Sequence, residues 1–439
     1  MKSELKPCPF CMGDRIHVSD GECSITGDAV VYRSHVICSD CKAIICRTHD
    51  ESPEHAHRAA VESWNRRAWR HGVYGGPMKI ASLFDGSGGF PLAGMQCGMT
   101  PVWASEVEPY PIRVTKDKIP GMKHMGSVTE IKGDQVEIPD VITFGSPCQD
   151  LSVAGKQKGI HEGERSSLFF EAIRIIKEMR AHDRATGRAD IAVRPRFAVW
   201  ENVPGAYSSN GGRDFQAVLQ AFCDIGRPGD HVPFPQKWGG AGCIVGEGYS
   251  IAWRTYDAQY WAGTPQRRKR IYLIADFASE RAGEILFEQE SMPGDHQPGE
   301  EAWQGSAENP AGGLAGSDRN GVILDDQGGG QTNGKRKWIV RRLTPLECNR
   351  LQGFPDGWGD VVEITELSDD EHDFWLSVRN NHAAINGKKQ GNYTKDQMIR
   401  WLNDLHTDSA EYKMWGNGIA LPCARDVMRR IAKALKEGL

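Results

Sequence analysis

The stretch KIASLFDGSGGFPLAGM, Lys79 to Met95, sets an apolar β-type run against the turn Gly86-Ser87-Gly88-Gly89 and then a helix start. Strand, glycine-rich turn and helix form the arrangement in which backbone N–H groups and close chain approach accommodate a nucleotide cofactor. Outward from it, PVWASE (101–106) ends at Glu106, 20 residues after Gly86, where a carboxylate can accept hydrogen bonds from a ribose diol. No Lys-Ser/Thr pair follows the loop, so a nucleoside without phosphates, such as S-adenosylmethionine, fits better than ATP. Each signal is weak alone: the turn is not GxGxxG, and a lone strand-end glutamate is more often solvated. Together they favour a cofactor site.

Downstream, DVITFG (140–145), RFAVWE (196–201) and RIYLIADF (270–277) alternate with helical segments such as SSLFFEAIRIIKEM (166–179). This is the βαβ signature of an open parallel sheet with helices on both faces, an α/β class of Rossmann type. In FGSPCQDLS, Cys148 follows one strand; in WENV, Glu201 follows another. Both are therefore expected at the carboxyl edge of the sheet, where open α/β folds bind ligands. TPQRRKRIYLIA places Arg268 and Arg270 two apart, on one face at a strand start. A buried cysteine, a strand-end acid and a solvated basic run are each the commoner reading. Their joint occurrence at successive strand ends makes that bland account improbable.

The chain has 439 residues, 39% hydrophobic, which suits two or three globular domains. No run approaches the roughly 18 apolar residues of a membrane span, and MKSELKPCPF offers no secretion signal. A cytoplasmic protein with no membrane partner is expected, so its twelve cysteines favour metal ligation or catalysis over disulfides. The net charge of −5 does not exclude a nucleic acid, because the charge is uneven. QRRKR (266–270) and KRKWIVRR (335–342) are basic, whereas 281–330 holds ten acids, two arginines and eleven glycines and reads as loop-rich.

Before residue 70, Cys8-x-x-Cys11 and Cys38-x-x-Cys41 form two thiolate knuckles suited to a tetrahedral structural Zn²⁺. A helix is expected after Ser52-Pro53, carrying Ala56, Ala59, Ala60, Val61 and Trp64 on helical spacing. Residues 71–78 read as a linker, and a polar, partly helical insert spans 361–410. ARDVMRRIAKALKE at the end carries one apolar helical face.

LKPCPFC and ESWNRRA make the first 70 residues resemble the restriction-alleviation (Lar-type) zinc ribbons of phages and prophages. In order, FDGSGG, SEVEPY, GSPCQ, ENV, QRRKR, RRLTPLECNRLQGFPD and YKMWGNG are similar to the motif series of the DNA cytosine-C5 methyltransferases. The resemblance implies a Rossmann-like catalytic domain over 79–277, a short DNA-recognition region over 278–340, and a segment over 341–439 that completes the catalytic domain around the insert. It implies double-stranded DNA as partner, with host restriction proteins as partners of the ribbon, and a monomer is expected. Cys148 would attack cytosine C6, Glu201 would protonate N3, and Arg268 or Arg270 would steady the cytosine O2 and the thiolate. Phe84 would stack on the cofactor adenine, and Asp85, Gly86, Ser87, Gly88 and Gly89 would wrap its methionine part. Glu106, Ser127, Val128, Pro147 and Asn417 complete the implied pocket.

Two positions depart from the pattern: Ser127 stands where the family has an aspartate for the adenine amino group, and Asn417-Gly418 replaces Asn-Ser. The alternative reading is a catalytically weak antirestriction module that binds DNA or protein. RNA methylation is disfavoured by the PCQ and ENV pattern. The recognition region does not disclose a target sequence, and the 361–410 insert is a candidate source of DNA contacts.

Overall fold

In the computed structural model of the chain the described residues are 16–26, 29–39, 44–49, 52–58, 60–61, 77–147, 168–261, 266–287, 322–325 and 338–437. The chain divides into two compact units, Met1–Met78 with Ala432–Leu439, and Lys79–Ile431. Among the described residues no helix is long and apolar enough to cross a membrane.

In the first unit, β1 (Ile16–Thr26), β2 (Ala29–Cys38) and β3 (Ile44–His49) form an antiparallel sheet in that order. A helix follows whose described residues are 53–58 and 60–61 (α1). Its start is the one expected: the Ser52 hydroxyl accepts from the His55 N–H at 3.3 Å, and Ala56, Ala60 and Val61 are buried. Of the four expected zinc ligands, Cys8, Cys11 and Cys41 lie outside the described residues. Cys38 closes β2, with its side chain also outside them.

The second unit is built on an eight-stranded sheet. Its strands are β4 (Lys79–Leu83), β5 (Thr100–Ser105), β6 (Lys123–His124), β7 (Val141–Phe144), β8 (Phe197–Asn202), β9 (Ala241–Gly246), β10 (Tyr249–Asp257) and β11 (Lys269–Asp276). The spatial order is β6-β5-β4-β7-β8-β11-β10-β9. The helices that accompany them are α2 (Gly89–Gln96), α3 (Pro109–Lys118), α4 (Leu168–Ala185), α5 (Arg213–Gly226), α6 (Ala258–Trp261) and α7 (Ala282–Phe287). Continuous apolar runs such as VITF and FAVW are buried on both faces, as a helix-covered sheet requires.

The expectation of an all-parallel sheet is corrected. From β6 to β8 the strands are parallel, but β11 pairs antiparallel to β8, and β10 antiparallel to both β11 and β9. The cause is local. Glu247-Gly248 is a two-residue connection between β9 and β10, with Gly248 at φ 78°, the backbone a tight hairpin needs. The reversal also matters for the site, because an antiparallel β11 begins at the edge where β7 and β8 end.

Under the parallel half, Phe144, Phe169, Trp200 and Phe215 form an aromatic chain with ring centroids about 6 Å apart. The first helical segment beyond residue 277, α7, also packs into this unit: Leu286 is fully buried, and the Ala282 N–H donates to the Ser250 hydroxyl of β10 at 2.8 Å. Within the expected recognition region, the other described residues are the paired strands β12 (Val322–Asp325) and β13 (Trp338–Arg341).

Beyond it come α8 (Pro345–Leu351), α9 (Asp369–Ile385), α10 (Lys395–Asn403), α11 (Asp408–Asn417) and α12 (Leu421–Glu437). The polar insert is a helical pair, α9 and α10, each started by a capping box, Ser368 with Glu371 and Thr394 with Gln397. Its buried side, Leu367, Trp375, Val378, Met398 and Leu402, clusters with Ile112 of α3. That contact fixes the insert beside the loop that follows β5.

Candidate active site

The loop after β4 is held in a conformation most side chains avoid. Phe84 has φ 54°, Gly86 φ 53° and Gly88 φ 76°, so a non-glycine residue sits at positive φ directly after β4. Gly89 is fixed by packing instead: a Cβ there would lie 2.6 Å from Ile419 Cγ1 and 3.2 Å from Phe354. The Trp358 indole N–H donates to the Ser87 carbonyl at 2.8 Å. RRLTPLECNRLQGFPD therefore leads into the wall behind the glycine loop. Gly89→Ala is expected to destabilise the fold by about 1–3 kcal/mol in chemical denaturation, because it overpacks this contact.

Two acids stand over the loop. Glu106 accepts from the N–H groups of Gly86 (2.7 Å), Val107 (2.7 Å) and Glu108 (2.9 Å), which fix its carboxylate at the end of β5. Burial pushes its pKa up against those bonds. Asp85 is buried without a well-formed hydrogen bond on either oxygen, and burial pushes its pKa up to about 8, with the Ser82 hydroxyl offsetting little. A buried acid lacking a partner suits a cationic ligand group. The Ser87 hydroxyl is likewise buried and unpartnered.

Because the folded Asp85 holds its proton above the unfolded value of 3.8, its contribution to stability is complete below pH 3.8 and disappears as pH rises through about 8. Asp85→Asn should therefore gain in Tm over the wild-type protein progressively from pH 5 to 9, while binding the cofactor more weakly. An equal Tm difference at both pH values would contradict this.

At the next strand ends, β8 is tied to the turn after β7. The Trp200 indole N–H donates to the Ser146 hydroxyl at 3.1 Å, and the Asn202 amide donates to the Ser146 carbonyl at 3.1 Å. Gly145 makes room for Glu201: a Cβ at 145 would lie 3.1 Å from Glu201 Oε2. Pro147 is exposed and ends this described stretch, and Cys148 lies outside the described residues.

Glu201 is 8% exposed and faces Arg270, whose Nε is 3.1 Å from Oε1. This is an ion-pair approach without hydrogen-bond alignment, since Oε1 has no hydrogen-bond partner. Burial pushes the Glu201 pKa up, while Arg270 and then Arg268 oppose it. The register explains the approach: Tyr272 is opposite Glu201, so Arg270, two residues earlier, projects from the same face.

The two arginines, left as alternatives by the sequence, have different partners. Arg268 donates to the carbonyls of Gly418 and, at 3.2 Å, Gly416, and so holds the loop that carries Asn417. Burial lowers its pKa to about 10. Arg270 is the one beside Glu201. Both are drawn inward, whereas Arg267 and Lys269 of the same run are exposed. Gly418 packs over Ser87, where a Cβ would sit 3.3 Å from the Ser87 hydroxyl and 3.1 Å from the Met414 carbonyl. That crowding accounts for the glycine in place of serine.

Sequence reasoning missed Gly145, Ser146 and Tyr272, whose buried hydroxyl is unpartnered on the same face. The pairing of GSP with WEN at adjacent strand ends was the available signal. Arg350 is bound to Asp356 at 2.9 and 2.6 Å and Arg341 to Glu347 at 2.8 and 2.7 Å, so both are held by ion pairs within the fold.

Residues 78–228, which hold the glycine loop, Glu106 and Glu201, match the family described as C-5 cytosine-specific DNA methylase. Over that stretch the chain is similar to the C-5 cytosine-specific DNA methylases. Residues 3–68 of the chain match restriction alleviation protein Lar. It is similar to the type II methyltransferase M2.BsuMI of Bacillus subtilis, 29% identical over 78% of this chain and 82% of that protein. It is also similar to the type II methyltransferase M.HhaI of Haemophilus parahaemolyticus, 25% identical over 64% and 85%. A protein of Escherichia phage P1 named DNA N-6-adenine-methyltransferase is 24% identical over 78% of this chain, which spans 60% of that protein. Among solved structures, Entamoeba histolytica methyltransferase EhMeth, 12% identical, is matched over 82% of this chain and 99% of that one with a TM-score of 0.47. The family implies S-adenosylmethionine as cofactor and double-stranded DNA as the polymer acted on.

Proposed function

We propose that this protein transfers a methyl group to C5 of a cytosine flipped out of duplex DNA, with Cys148 as nucleophile and Glu201 as acid. The observation that carries the reading is the buried Glu201 carboxyl, ion-paired with Arg270 at 3.1 Å and seated against Gly145, three residues before Cys148. Cytosine C5 is a poor carbon nucleophile, so a thiolate must first add to C6. The electron pair displaced by that addition is taken up as N3 gains a proton, and Glu201, whose pKa burial raises, would supply it. Arg270 would then face the base oxygen and the developing charge, while Arg268 acts by holding the 416–418 loop. Because C6 is shielded in a stacked duplex, the target base must leave the helix.

The unpartnered Asp85 and Ser87 groups and the fixed Glu106 carboxylate fit S-adenosylmethionine, as cation partner and ribose acceptor respectively. Bound there, that cofactor supplies an electrophilic methyl group. After methylation a base removes the C5 proton and the Cys148 thiolate leaves.

The donor set of Cys8, Cys11, Cys38 and Cys41, four thiolates in two CxxC pairs, fits a structural zinc. Metal analysis of the full chain should find one zinc per molecule, lost on Cys8→Ser; a metal-free wild-type protein would refute the site. The Lar match and the similarity to a phage P1 protein support a role in protecting phage or prophage DNA from restriction. The test of the activity is transfer of labelled methyl from S-adenosylmethionine to cytosine-containing duplex DNA of mixed sequence. Absence of transfer to any such duplex would refute it.

A further inference from the structure

The inserted helix α9 reaches the cofactor side of the sheet edge. A cavity of about 150 Å³ has Glu106, Val107 and Ser127 on one side and Phe374, Ser377 and Asn381 of α9 on the other. The helix is seated there by its Val378 and Trp375 cluster on α3, and by His382, whose Nε2 is 3.7 Å from Glu108 Oε2 in the loop after β5. Phe374 is held from behind, with Lys116 Nζ 5.0 Å from its ring centroid.

One feature of this cavity calls for a ligand. His124 lines it with both ring nitrogens buried and without a hydrogen-bond partner, its ring centroid 6.2 Å from that of Phe374. An imidazole left that way forfeits its hydrogen bonds unless a bound group supplies them. Burial lowers its pKa to about 4, so at neutral pH it offers one donor and one acceptor. Ser127, in contrast, is already engaged: its hydroxyl is 2.8 Å from that of Thr129 and accepts from the Thr129 N–H at 3.3 Å. The residue that stands in for the expected aspartate therefore turns into its own loop.

We propose that α9 is a cofactor-recognition helix, in which Asn381 and Ser377 together with His124 read the polar edge of the cofactor's adenine and Phe374 covers its ring. The inference rests on Glu106 as the ribose-binding acid, since that places the base in this cavity. It makes the 361–410 insert a wall of the cofactor pocket. An amide and a neutral imidazole each present a donor and an acceptor, which match the 6-amino group and the adjacent ring nitrogen of adenine. A base with a 6-oxo group reverses that pattern.

Calorimetry with S-adenosylhomocysteine and S-inosylhomocysteine on the full-length protein tests this without requiring turnover. Wild type should prefer the 6-amino compound by about 10-fold or more, and Asn381→Ala should weaken its binding by about 10-fold and erase the preference. Ser127→Asp in the Asn381→Ala protein should restore part of the preference, which a purely structural role for α9 would not produce. Binding and preference unchanged in Asn381→Ala and in His124→Phe, with binding lost in Glu106→Ala, would overturn the assignment of α9 and leave the cofactor reading intact. Failure of the wild-type protein to bind S-adenosylhomocysteine would overturn both.

Discussion

Replacing Cys148 with alanine is expected to lower methyl transfer to duplex DNA by at least about 10³-fold, since a nucleophile that forms the covalent intermediate has no substitute among its neighbours. S-adenosylhomocysteine binding should persist, because Cys148 is not among the groups assigned to the cofactor. DNA carrying 5-fluorocytosine should form a covalent adduct with the wild-type protein, stable to denaturing electrophoresis and absent in the variant. The fluorine cannot leave as a proton does, so the thiolate remains attached to C6. Undiminished transfer by Cys148→Ala would sink the mechanism.

Glu201→Gln is the second large effect. The amide keeps the shape and a donor but has no proton to transfer to N3, and general-acid contributions are typically about 10²- to 10⁴-fold. Loss of that order in kcat with unchanged cofactor affinity is expected. The sign of the pH dependence follows from burial, which raises the Glu201 pKa and keeps the acid form present at higher pH. Wild-type kcat/KM should fall on the alkaline side as Glu201 deprotonates, and on the acidic side as the Cys148 thiolate is lost. Glu201→Gln should retain the acidic limb and lose the alkaline one. An alkaline limb that persists in the variant would assign it to another group.

Much of the site was legible because strand-end chemistry is local. An apolar run of four or five residues predicts a buried strand with a sheet edge close after it, which put Glu106 directly after β5, whereas Glu201, expected after its strand, lies inside β8 just before its end. The arginine pair was legible as a pair, since residues two apart on a strand share a face. Their division of labour was not. Arg268 and Arg270 differ in what they meet, the carbonyls of Gly416 and Gly418 or the Glu201 carboxylate, and those partners lie 148 to 150 and 69 residues away in the chain.

The parallel reading of the whole sheet failed for a related reason. Periodicity identifies a strand without giving its direction, and RIYLIADF reads alike either way. The GEG turn at 246–248 was a local clue to the β9–β10 hairpin alone. Similarly, the insert at 361–410 announces polar helices, but its placement depends on which apolar side chains find a partner. Here Trp375 and Val378 find Ile112 of α3.

By itself, then, the sequence determined the α/β class, the strand, glycine turn and helix at 79–96, and the resemblance to the methylases, because each depends on short stretches whose chemistry is carried by neighbours in the chain. The tertiary structure alone decided the antiparallel half of the sheet, the partners of each arginine, the burial that holds Asp85 and Glu201 toward their acid forms, and the seat of α9 beside Glu106. Those properties arise from exclusion of water and from contacts between residues far apart in sequence, which no local pattern encodes.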